Sequence, residues 1–292
     1  MPVPAQNQQY ENFIIRYKQN THGGFDYESD ENFQIVNDLF GILYVAMQKV
    51  PELELSSYSY SSIPRCYTYM DTGALSTSGV TGLHNHPYLK LQGKGTLVAV
   101  IDSGIDYLHP AFHNGVQSKI FSIWDQTLEG GADGRIPFGR EFGRQQIEQA
   151  LASENPWEIV PSSDTNGHGT RSAATAAGYR IEKDNFCGAA PEAEIVIVKL
   201  KQAKNYLRDF YLLPRDIDIF QEDDIMLAIS YVLFIAQEQQ MPLSICIGLG
   251  TSMGAHQGEG PLNEYINSIA AFTQNAVSVP AGNEGTARHH YL

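Results

Sequence analysis

Four short, unbroken apolar segments constrain the fold of this chain more than any other feature of its sequence. Each is rich in β-branched residues and too short for a helix, which is typical of strands buried on both faces of a parallel sheet. The segments cover residues 96–101, 195–198, 244–247 and 276–279. Helical stretches at about 222–240 and 261–275 lie between them. Because strands that alternate with helices form right-handed crossovers, the sequence predicts an α/β fold with three α/β/α layers around a central parallel sheet.

Residues 1–62 differ in composition from the rest of the chain. They are rich in Gln, Asn and Tyr and contain two strand-like runs, at residues 13–15 and 41–46. A Ser- and Tyr-rich stretch at residues 56–62 follows and is typical of an extended linker. We therefore predict a small α+β segment over residues 1–62 that ends in this linker, followed by a main domain over residues 63–292.

Charge and composition exclude several classes of protein. The 292 residues include 33 acidic and 19 basic side chains, which gives a formal net charge of −14. That charge disfavours binding to nucleic acids or to anionic membranes, and no apolar run is long enough to span a bilayer. Three cysteines are too few and too scattered for a disulfide framework. The N-terminus lacks a signal peptide, so we expect an intracellular protein, unless a leader precedes the given chain.

Three polar residues stand where the chemistry of such a sheet collects, at the carboxyl ends of its strands. Asp102 directly follows the first apolar run, and His168 lies between two glycines at the predicted start of a helix. Asn283 follows the fourth run in a Gly-rich turn. Taken singly, each is more often a turn or capping residue. The sharper alternatives are a buried Asp that orients a His, and an amide that donates to a developing oxyanion.

The order and context of these residues resemble those of the subtilisin-like serine proteases, the subtilases. The motifs that carry the resemblance cover residues 98–104, 166–170, 188–193, 249–250 and 279–283. Further segments, at residues 123–127, 153–156, 207–212 and 287–291, resemble the Csp-type germination proteases of spore-forming bacteria. The resemblance implies a serine endopeptidase with the subtilisin-like fold, which would act in the cytoplasm or in a spore compartment.

The resemblance also implies a catalytic role for each of the three polar residues. His168 would act as the general base, and Asp102 would hold it in the correct tautomer. Asn283 would donate a hydrogen bond to the oxyanion of the tetrahedral intermediate. The chemistry would be the hydrolysis of a peptide bond through an Asp-His-Ser triad.

Two partners follow from the same resemblance, a protein or peptide substrate and the chain's own N-terminal segment. Gly248, Leu249 and Gly250 would pair with an extended substrate by strand addition. Residues 1–62 would correspond to the family's prodomain, whose C-terminal tail lies in the cleft in relatives.

The family's nucleophilic serine follows the oxyanion Asn, in a Gly-Thr-Ser-Met-Ala motif that opens a helix. Ser252 lies in a similar Gly-Thr-Ser-Met stretch, but it precedes Asn283. Three glycines within residues 254–260 also disfavour a helix there, at about 1 kcal/mol each. We therefore expect Ser252 to lie in a cleft-edge loop and the nucleophile to lie beyond residue 292. The chain would then be a C-terminally truncated subtilase, inactive by itself.

Two alternative functions use other features of the chain. A subtilase fold without catalysis would be a pseudoprotease that binds or regulates another protein, although the presence of both Asp102 and His168 argues against it. A thiol nucleophile would need a paired base. Cys187 has no such base in its sequence context, and Cys246 lies within an apolar run, where an inert core residue is more common.

No metal site is predicted from the sequence. The pairs His84 and His86, and His289 and His290, lack the further ligands that a zinc site needs. Calcium stabilises many subtilases, but no carboxylates here have the spacing of a calcium loop. We interpret the acidic residues near the predicted helix at 222–240 as a solvated capping face and expect no required cofactor. These residues are Asp216, Asp218, Glu222, Asp223 and Asp224.

Overall fold

The computed structural model describes residues 3–16, 32–50, 58–69, 84, 88, 91–131, 134–184, 186–254, 258–272, 274–280 and 282. The strands within these residues are β1 (Tyr10–Arg16), β2 (Phe33–Ile35), β3 (Phe40–Ala46), β4 (Cys66–Tyr69), β5 (Leu97–Asp102), β6 (Ile120–Asp125), β7 (Arg140–Gly143), β8 (Glu194–Lys199), β9 (Phe220–Gln221), β10 (Leu243–Ile247), β11 (Leu249–Gly250) and β12 (Asn275–Ser278). The α-helices are α1 (Arg144–Leu151), α2 (Pro156–Ile159), α3 (His168–Ala177), α4 (Asn205–Phe210), α5 (Glu222–Gln239) and α6 (Pro261–Ala270).

A six-stranded sheet forms the centre of the main domain. Its strands lie in the order β12, β10, β5, β8, β6 and β7. The neighbouring pairs from β12 to β6 are parallel, whereas β7 runs antiparallel to β6 at the edge. The four apolar runs of the sequence form β5, β8, β10 and β12. The predicted α/β fold is therefore confirmed, with the correction that the sheet is mixed rather than purely parallel.

Strands β5 and β8, in the middle of the central sheet, are buried on both faces as the sequence predicts, whereas this prediction is wrong for the edge strand β12, in which Ala276 and Ser278 are exposed. Along β5, Leu97, Ala99 and Ile101 pack on one side in a cluster with residues of α5. Val98 and Val100 pack on the other side with residues of α1 and α3. This alternation produces the three layers. Because β5 is buried over its whole length, the carboxylate at its end needs a partner.

Helix α5 ends before Pro242, as the sequence predicts. Its C-cap, Gln240, has φ of 54°, the left-handed conformation common at helix ends. Among the described residues, no helix is both long enough and apolar enough to cross a membrane.

The interpretation of the acidic residues as a solvated face is wrong for the first turn of α5. Glu222, Asp223 and Asp224 are at most 1% exposed, whereas Asp216 is exposed and Asp218 is half-buried. Each of the three buried carboxylates contacts a polar partner that lies well apart from it in the sequence. The pairs are Glu222 with Arg65, Asp223 with Asn12, and Asp224 with Lys201. These contacts compensate for the cost of burying the three carboxylates.

The N-terminal strands form a separate antiparallel sheet in the order β1, β3 and β2. Its apolar face joins the same cluster as α5. Lys204, just before α4, donates from Nζ to Pro4 O, Tyr10 O and Asn12 Oδ1, at 2.8, 3.1 and 2.6 Å. The N-terminal sheet is thus joined to the main domain by both apolar packing and buried polar contacts. The boundary between residues 62 and 63 stays a prediction.

A third, small sheet lies beside the central one. Strand β4 is its middle strand, with β11 on one side and β9 on the other. Both pairings are antiparallel. The chain therefore brings three segments together here that lie far apart in the sequence.

Candidate active site

Asp102 and His168 lie in direct contact at the carboxyl end of the central sheet. Asp102 is the last residue of β5, and His168 is the first residue of α3. The Nδ1 atom of His168 is 2.7 Å from Asp102 Oδ1 and 2.9 Å from Oδ2. Both side chains are buried. The structure therefore brings together two residues that are 66 positions apart in the sequence.

Two glycines allow α3 to begin so close to β5. Gly167, the N-cap residue of α3, has φ of 79°, a conformation that favours glycine. At Gly169, a Cβ atom would overlap with the carbonyl oxygen of Gly104 and lie 3.1 Å from Asp102 Cβ. A larger residue at position 169 would push α3, and with it His168, away from β5, whereas a larger residue at position 167 would strain the backbone.

A network of hydrogen bonds surrounds this pair. Ser103 donates its N–H to Asp102 Oδ1 at 2.7 Å and its hydroxyl to Asp164 Oδ1 at 2.7 Å. The hydroxyl oxygen of Ser103 also accepts from Gly169 N at 2.9 Å. The residues flanking Asp102 and His168 are thus tied together through one hydroxyl group.

Gly248 packs directly against the Asp102–His168 pair. A Cβ atom at Gly248 would overlap with Asp102 Oδ2 and lie 3.1 Å from His168 Cε1. The sequence resemblance places Gly248 at the substrate-binding edge, and the structure adds that its missing side chain makes room for the pair. Glycine is therefore required here by the close approach of its neighbours.

Substitution of Gly248 by alanine is expected to displace the Asp102–His168 pair. In the full-length protein we expect kcat to fall by about 100-fold, because a misplacement of about 1 Å has such an effect on catalysis. The measurement is the rate of peptide hydrolysis. Gly143→Ala is the matched control, since Gly143 has φ of −79° and nothing within 4 Å of its Cβ position. Equal activity of the two variants would contradict this prediction.

The predicted substrate-binding edge is already paired with another part of the chain. Leu249 and Gly250 form β11, whose partners in β4 are Tyr69 and Thr68. On its other side, β4 pairs Tyr67 with Phe220 of β9. Tyr67 is buried, whereas Thr68 is exposed. The short strand β4 thus lies between β9 and β11, and β11 directly follows Gly248, which contacts the Asp102–His168 pair.

Arg65 fixes the beginning of β4. Its N–H donates to Glu222 Oε2 at 3.1 Å, and its carbonyl oxygen accepts from Glu222 N at 2.8 Å. Its Nε atom lies 3.7 Å from Glu222 Oε2, and both side chains are buried. Burial raises the pKa of Glu222, and the positive charge of Arg65 opposes that rise. Glu222 also accepts from Leu262 N, so β4 is attached to the starts of α5 and α6.

The other sequence-derived candidates do not join this site within the part of the chain that the structure describes. Asn283 lies outside the described residues. Ser252 is exposed in a loop between β11 and α6, as expected. The three cysteines are free thiols, and burial raises the pKa of Cys246 to about 11, which suits an inert residue.

The histidine pairs that the sequence analysis rejected as zinc ligands are described by the structure only at His84. His84 Nε2 is 2.7 Å from Ala189 O, while His86, His289 and His290 lie outside the described residues. Among the described residues, no group of three His, Cys, Asp or Glu side chains could hold a metal ion.

The hydrogen bonds of Asp164 and the occupied edge of β11 were not predicted from the sequence. A signal for the first was present, because Asp164 stands four residues before His168 in an Asp-x-x-Gly-His-Gly-Thr stretch. No sequence pattern indicated that the edge of β11 is occupied, since β4 has only four residues and both of its partner strands are distant in the sequence.

Comparison with known proteins finds one family over part of the chain. Residues 93–211 match the sequence model of the subtilase family, Peptidase_S8. The matched region includes both Asp102 and His168.

Individual proteases of this type are also similar to the chain in sequence or structure. An intracellular serine protease of Paenibacillus polymyxa is 29% identical over 196 residues, which cover 66% of this chain and 43% of that protein. The subtilisin-like protease SBT1.4 of Arabidopsis thaliana is 30% identical over 125 residues, covering 37% of this chain and 16% of that protein. The CspB protease of Clostridium perfringens is similar in structure, with a TM-score of 0.59 and 29% identity over 71% of this chain and 39% of that chain. The chain thus spans less than half the length of each.

Proposed function

We propose that the full-length protein is a serine endopeptidase with an Asp-His-Ser triad, because residues 93–211 match the sequence model of the subtilase family. Asp102 and His168 are two members of this triad, and the third is a serine that we place C-terminal to residue 292. The observation that carries the proposal is the hydrogen bond between His168 Nδ1 and the buried carboxylate of Asp102.

The geometry of the pair supports a general-base role for His168. An ionised carboxylate only accepts hydrogen bonds, so the hydrogen of the neutral imidazole is on Nδ1 and the basic lone pair is on Nε2. Nε2 would take the proton of the serine hydroxyl and return it to the leaving amine. Asp102 would hold this tautomer and stabilise the imidazolium that forms.

Asn283 and the β11 edge complete the proposed mechanism. Asn283 would donate to the oxyanion, an interaction whose loss typically raises the barrier by about 2.7–4 kcal/mol. Gly248, Leu249 and Gly250 would bind the substrate backbone as an added strand. The substrate class would be extended peptide segments of proteins.

Labelling with a fluorophosphonate tests the proposed function directly. The full-length native protein should incorporate one label, because the reagent reacts with an activated serine. Heat-denatured protein is the control and should incorporate none. Absence of labelling in the native full-length protein would overturn the protease assignment. The intact Asp102–His168 pair gives no support to the pseudoprotease alternative.

Strand β4, which directly follows the predicted N-terminal segment of residues 1–62, is proposed as an inhibitor within the same chain. Strand β4 occupies the edge of β11 on which a substrate strand would have to add. Arg65 and Glu222 hold its beginning, and the contacts of Lys204 hold the preceding sheet. Substrate and β4 would therefore compete for the same backbone groups.

Substitution of Thr68 by proline tests this competition. Thr68 lies within the middle strand of the small sheet, where proline is disfavoured because it has no N–H to donate. In the full-length protein we expect hydrolysis of an added peptide to become about tenfold faster, which corresponds to about 1.4 kcal/mol of weakened pairing. Thr68→Val is the matched control, since valine keeps the N–H and the strand propensity. Equal rates for the two variants would contradict the inhibitory role.

An intracellular location, in the cytoplasm or in a spore compartment, is also proposed. Its support is the relative from Paenibacillus polymyxa, which is described as an intracellular serine protease. Fractionation of the producing cells with an antibody to this chain would test it, and recovery from the culture medium would contradict it.

A further inference from the structure

We infer that Asp164 is a positioning residue, which holds Asp102 and His168 in the geometry that general-base catalysis requires. This inference rests on the proposed protease function. The hydrogen bonds of Asp164 go to residues beside the pair, so it would act on the pair through those residues.

Asp164 binds the chain on both sides of the pair. Its Oδ1 accepts from Ser103 Oγ at 2.7 Å and from Gly167 N at 2.9 Å. Its Oδ2 accepts from Thr170 N at 2.8 Å and Thr170 Oγ1 at 2.6 Å. Ser103 is the residue after Asp102, and Gly167 and Thr170 flank His168. One carboxylate thus links the end of β5 to the first turn of α3.

Asp164 also replaces the capping side chain that α3 lacks. The N-cap residue, Gly167, has no side chain, yet the N–H groups of the first turn need acceptors. Asp164 accepts from the N–H of Gly167 and from that of Thr170, the third residue of the helix. The left-handed backbone of Gly167 leads the chain into α3, while Asp164 accepts from the N–H groups of Gly167 and Thr170, and Ser103 accepts from that of Gly169.

The link to the Asp102 side chain runs through Ser103. The Ser103 hydroxyl donates to Asp164 and accepts from Gly169 N, while the Ser103 N–H donates to Asp102 Oδ1. Thr170 Oγ1, which donates to Asp164, accepts in turn from Asp106 N at 2.9 Å. Loss of the Asp164 carboxylate would leave these donors unpaired and free the two elements to shift against each other.

The ionisation of Asp164 suits this role near neutral pH. Burial alone would raise the pKa of Asp164, but the hydrogen bonds from Thr170, Ser103 and Gly167 bring it below the ordinary value of 3.8. Because the pKa of Asp164 is lower in the folded than in the unfolded chain, its ionised carboxylate stabilises the fold at every pH above the unfolded-state pKa. The contribution is lost only as the pH falls through the lowered pKa.

The asparagine variant separates this role from simple loss of volume. In Asp164→Asn the amide NH₂ must face either Ser103 and Gly167 or the two donors of Thr170, so one backbone N–H loses its acceptor whichever way the amide turns. We expect kcat of the full-length protein to fall by about 10- to 100-fold and KM to change by less than about twofold. Glu158→Gln, which changes an exposed carboxylate of α2, is the matched control and should keep full activity.

A spectroscopic readout distinguishes positioning from general destabilisation. The Nδ1 proton of His168 reports its hydrogen bond to Asp102, and its NMR signal can be recorded whether or not the protein cleaves peptides. In Asp164→Asn we expect this signal to shift or broaden below the melting temperature, and the acidic limb of the kcat/KM profile to move to lower pH. Both follow because a looser Asp102 stabilises the imidazolium less.

The possible outcomes separate this inference from the proposed function. A shifted Nδ1 signal in a protein that never labels with fluorophosphonate would support positioning while the protease assignment fails. An unchanged Nδ1 signal and unchanged kcat in a folded Asp164→Asn variant would overturn the inference while leaving the protease assignment intact. If Asp164→Asn does not fold, Ser103→Ala takes its place, since it removes only the bridging hydroxyl and should produce the same change in the Nδ1 signal.

Discussion

Substitution of Asp102 by asparagine in the full-length protein is expected to lower kcat by about 10⁴-fold without unfolding it. The amide NH₂ would donate to Nδ1 of His168 and so place the ring hydrogen on Nε2, which then cannot accept a proton from the serine. The effect is large because the variant leaves the pair in contact but in the wrong tautomer. The measurement is kcat for peptide hydrolysis, together with the melting temperature.

The controls for this prediction use the same full-length protein. Asp209→Asn changes an exposed carboxylate of α4 and should leave kcat unchanged. His168→Ala should abolish both hydrolysis and fluorophosphonate labelling, because it removes the proposed base. If Asp102→Asn kept kcat within about tenfold of the native value, a triad containing Asp102 would be ruled out.

Substitution of Lys204 by methionine is expected to lower the free energy of unfolding by about 3–5 kcal/mol, as is typical when one member of a buried charge cluster is removed. Burial, and then repulsion from Lys201, lower the pKa of Lys204 to about 7, while Asp223 and Asp224 oppose this. Without the ammonium group, the acceptors that it binds in the N-terminal segment lose their donor, and the buried carboxylates lose a cation. Urea unfolding of the 292-residue chain measures the change.

A second buried lysine provides the comparison that localises the effect. Lys201 donates to Asp224 Oδ2 at 2.5 Å, within the main domain. Lys201→Met should also destabilise the chain, but only Lys204→Met should greatly increase hydrogen exchange in β1, whose Tyr10 and Asn12 bind the Lys204 ammonium group. Similar protection of β1 in both variants would show that Lys204 does not hold the N-terminal sheet in place.

The parts of the fold that could be predicted from the sequence are those determined by local pattern. Strands β5, β8, β10 and β12 are apolar runs that are visible in the sequence itself, whereas the exposure of Ala276 and Ser278 in β12 follows from its place at the edge of the sheet. Strand β6 has the same environment but contains Ser122 and ends in Asp125. Ser122 is buried because it bonds to Tyr231 OH, and Asp125 because it accepts from Ser162 Oγ. Neither partner is predictable from the strand.

The burial of the acidic first turn of α5 could not be predicted for the same reason. A run of three acids indicates a solvated helix start, and only the fold supplies the buried partners that reverse this. Arg65 precedes Glu222 by 157 positions, and Asn12 precedes Asp223 by 211. Such long-range polar pairs leave no periodic trace in a single sequence.

The contact between Asp102 and His168 was foreseeable, whereas its supports were not. Strand ends and a Gly-His-Gly helix start place both residues at one edge of an α/β sheet, and the family resemblance supplies their roles. The requirement for glycine at position 248 depends on the short distance between Gly248 and the Asp102–His168 pair, which only the coordinates give. The same holds for the pairing of β4 with β11.

The pairing of β4 with β11 determines how dilution of the protein would affect the proposed inhibition by β4. While the chain between β4 and β5 is unbroken, β4 is an intramolecular ligand whose effective concentration is on the order of millimolar, whatever the amount of protein present. A competing peptide must reach comparable levels to displace it. Once that connection is cut, β4 and the N-terminal sheet that precedes it would become a separate ligand whose occupancy obeys mass action. Inhibition would then be insensitive to dilution in the uncut chain and would decline with dilution in the cut one.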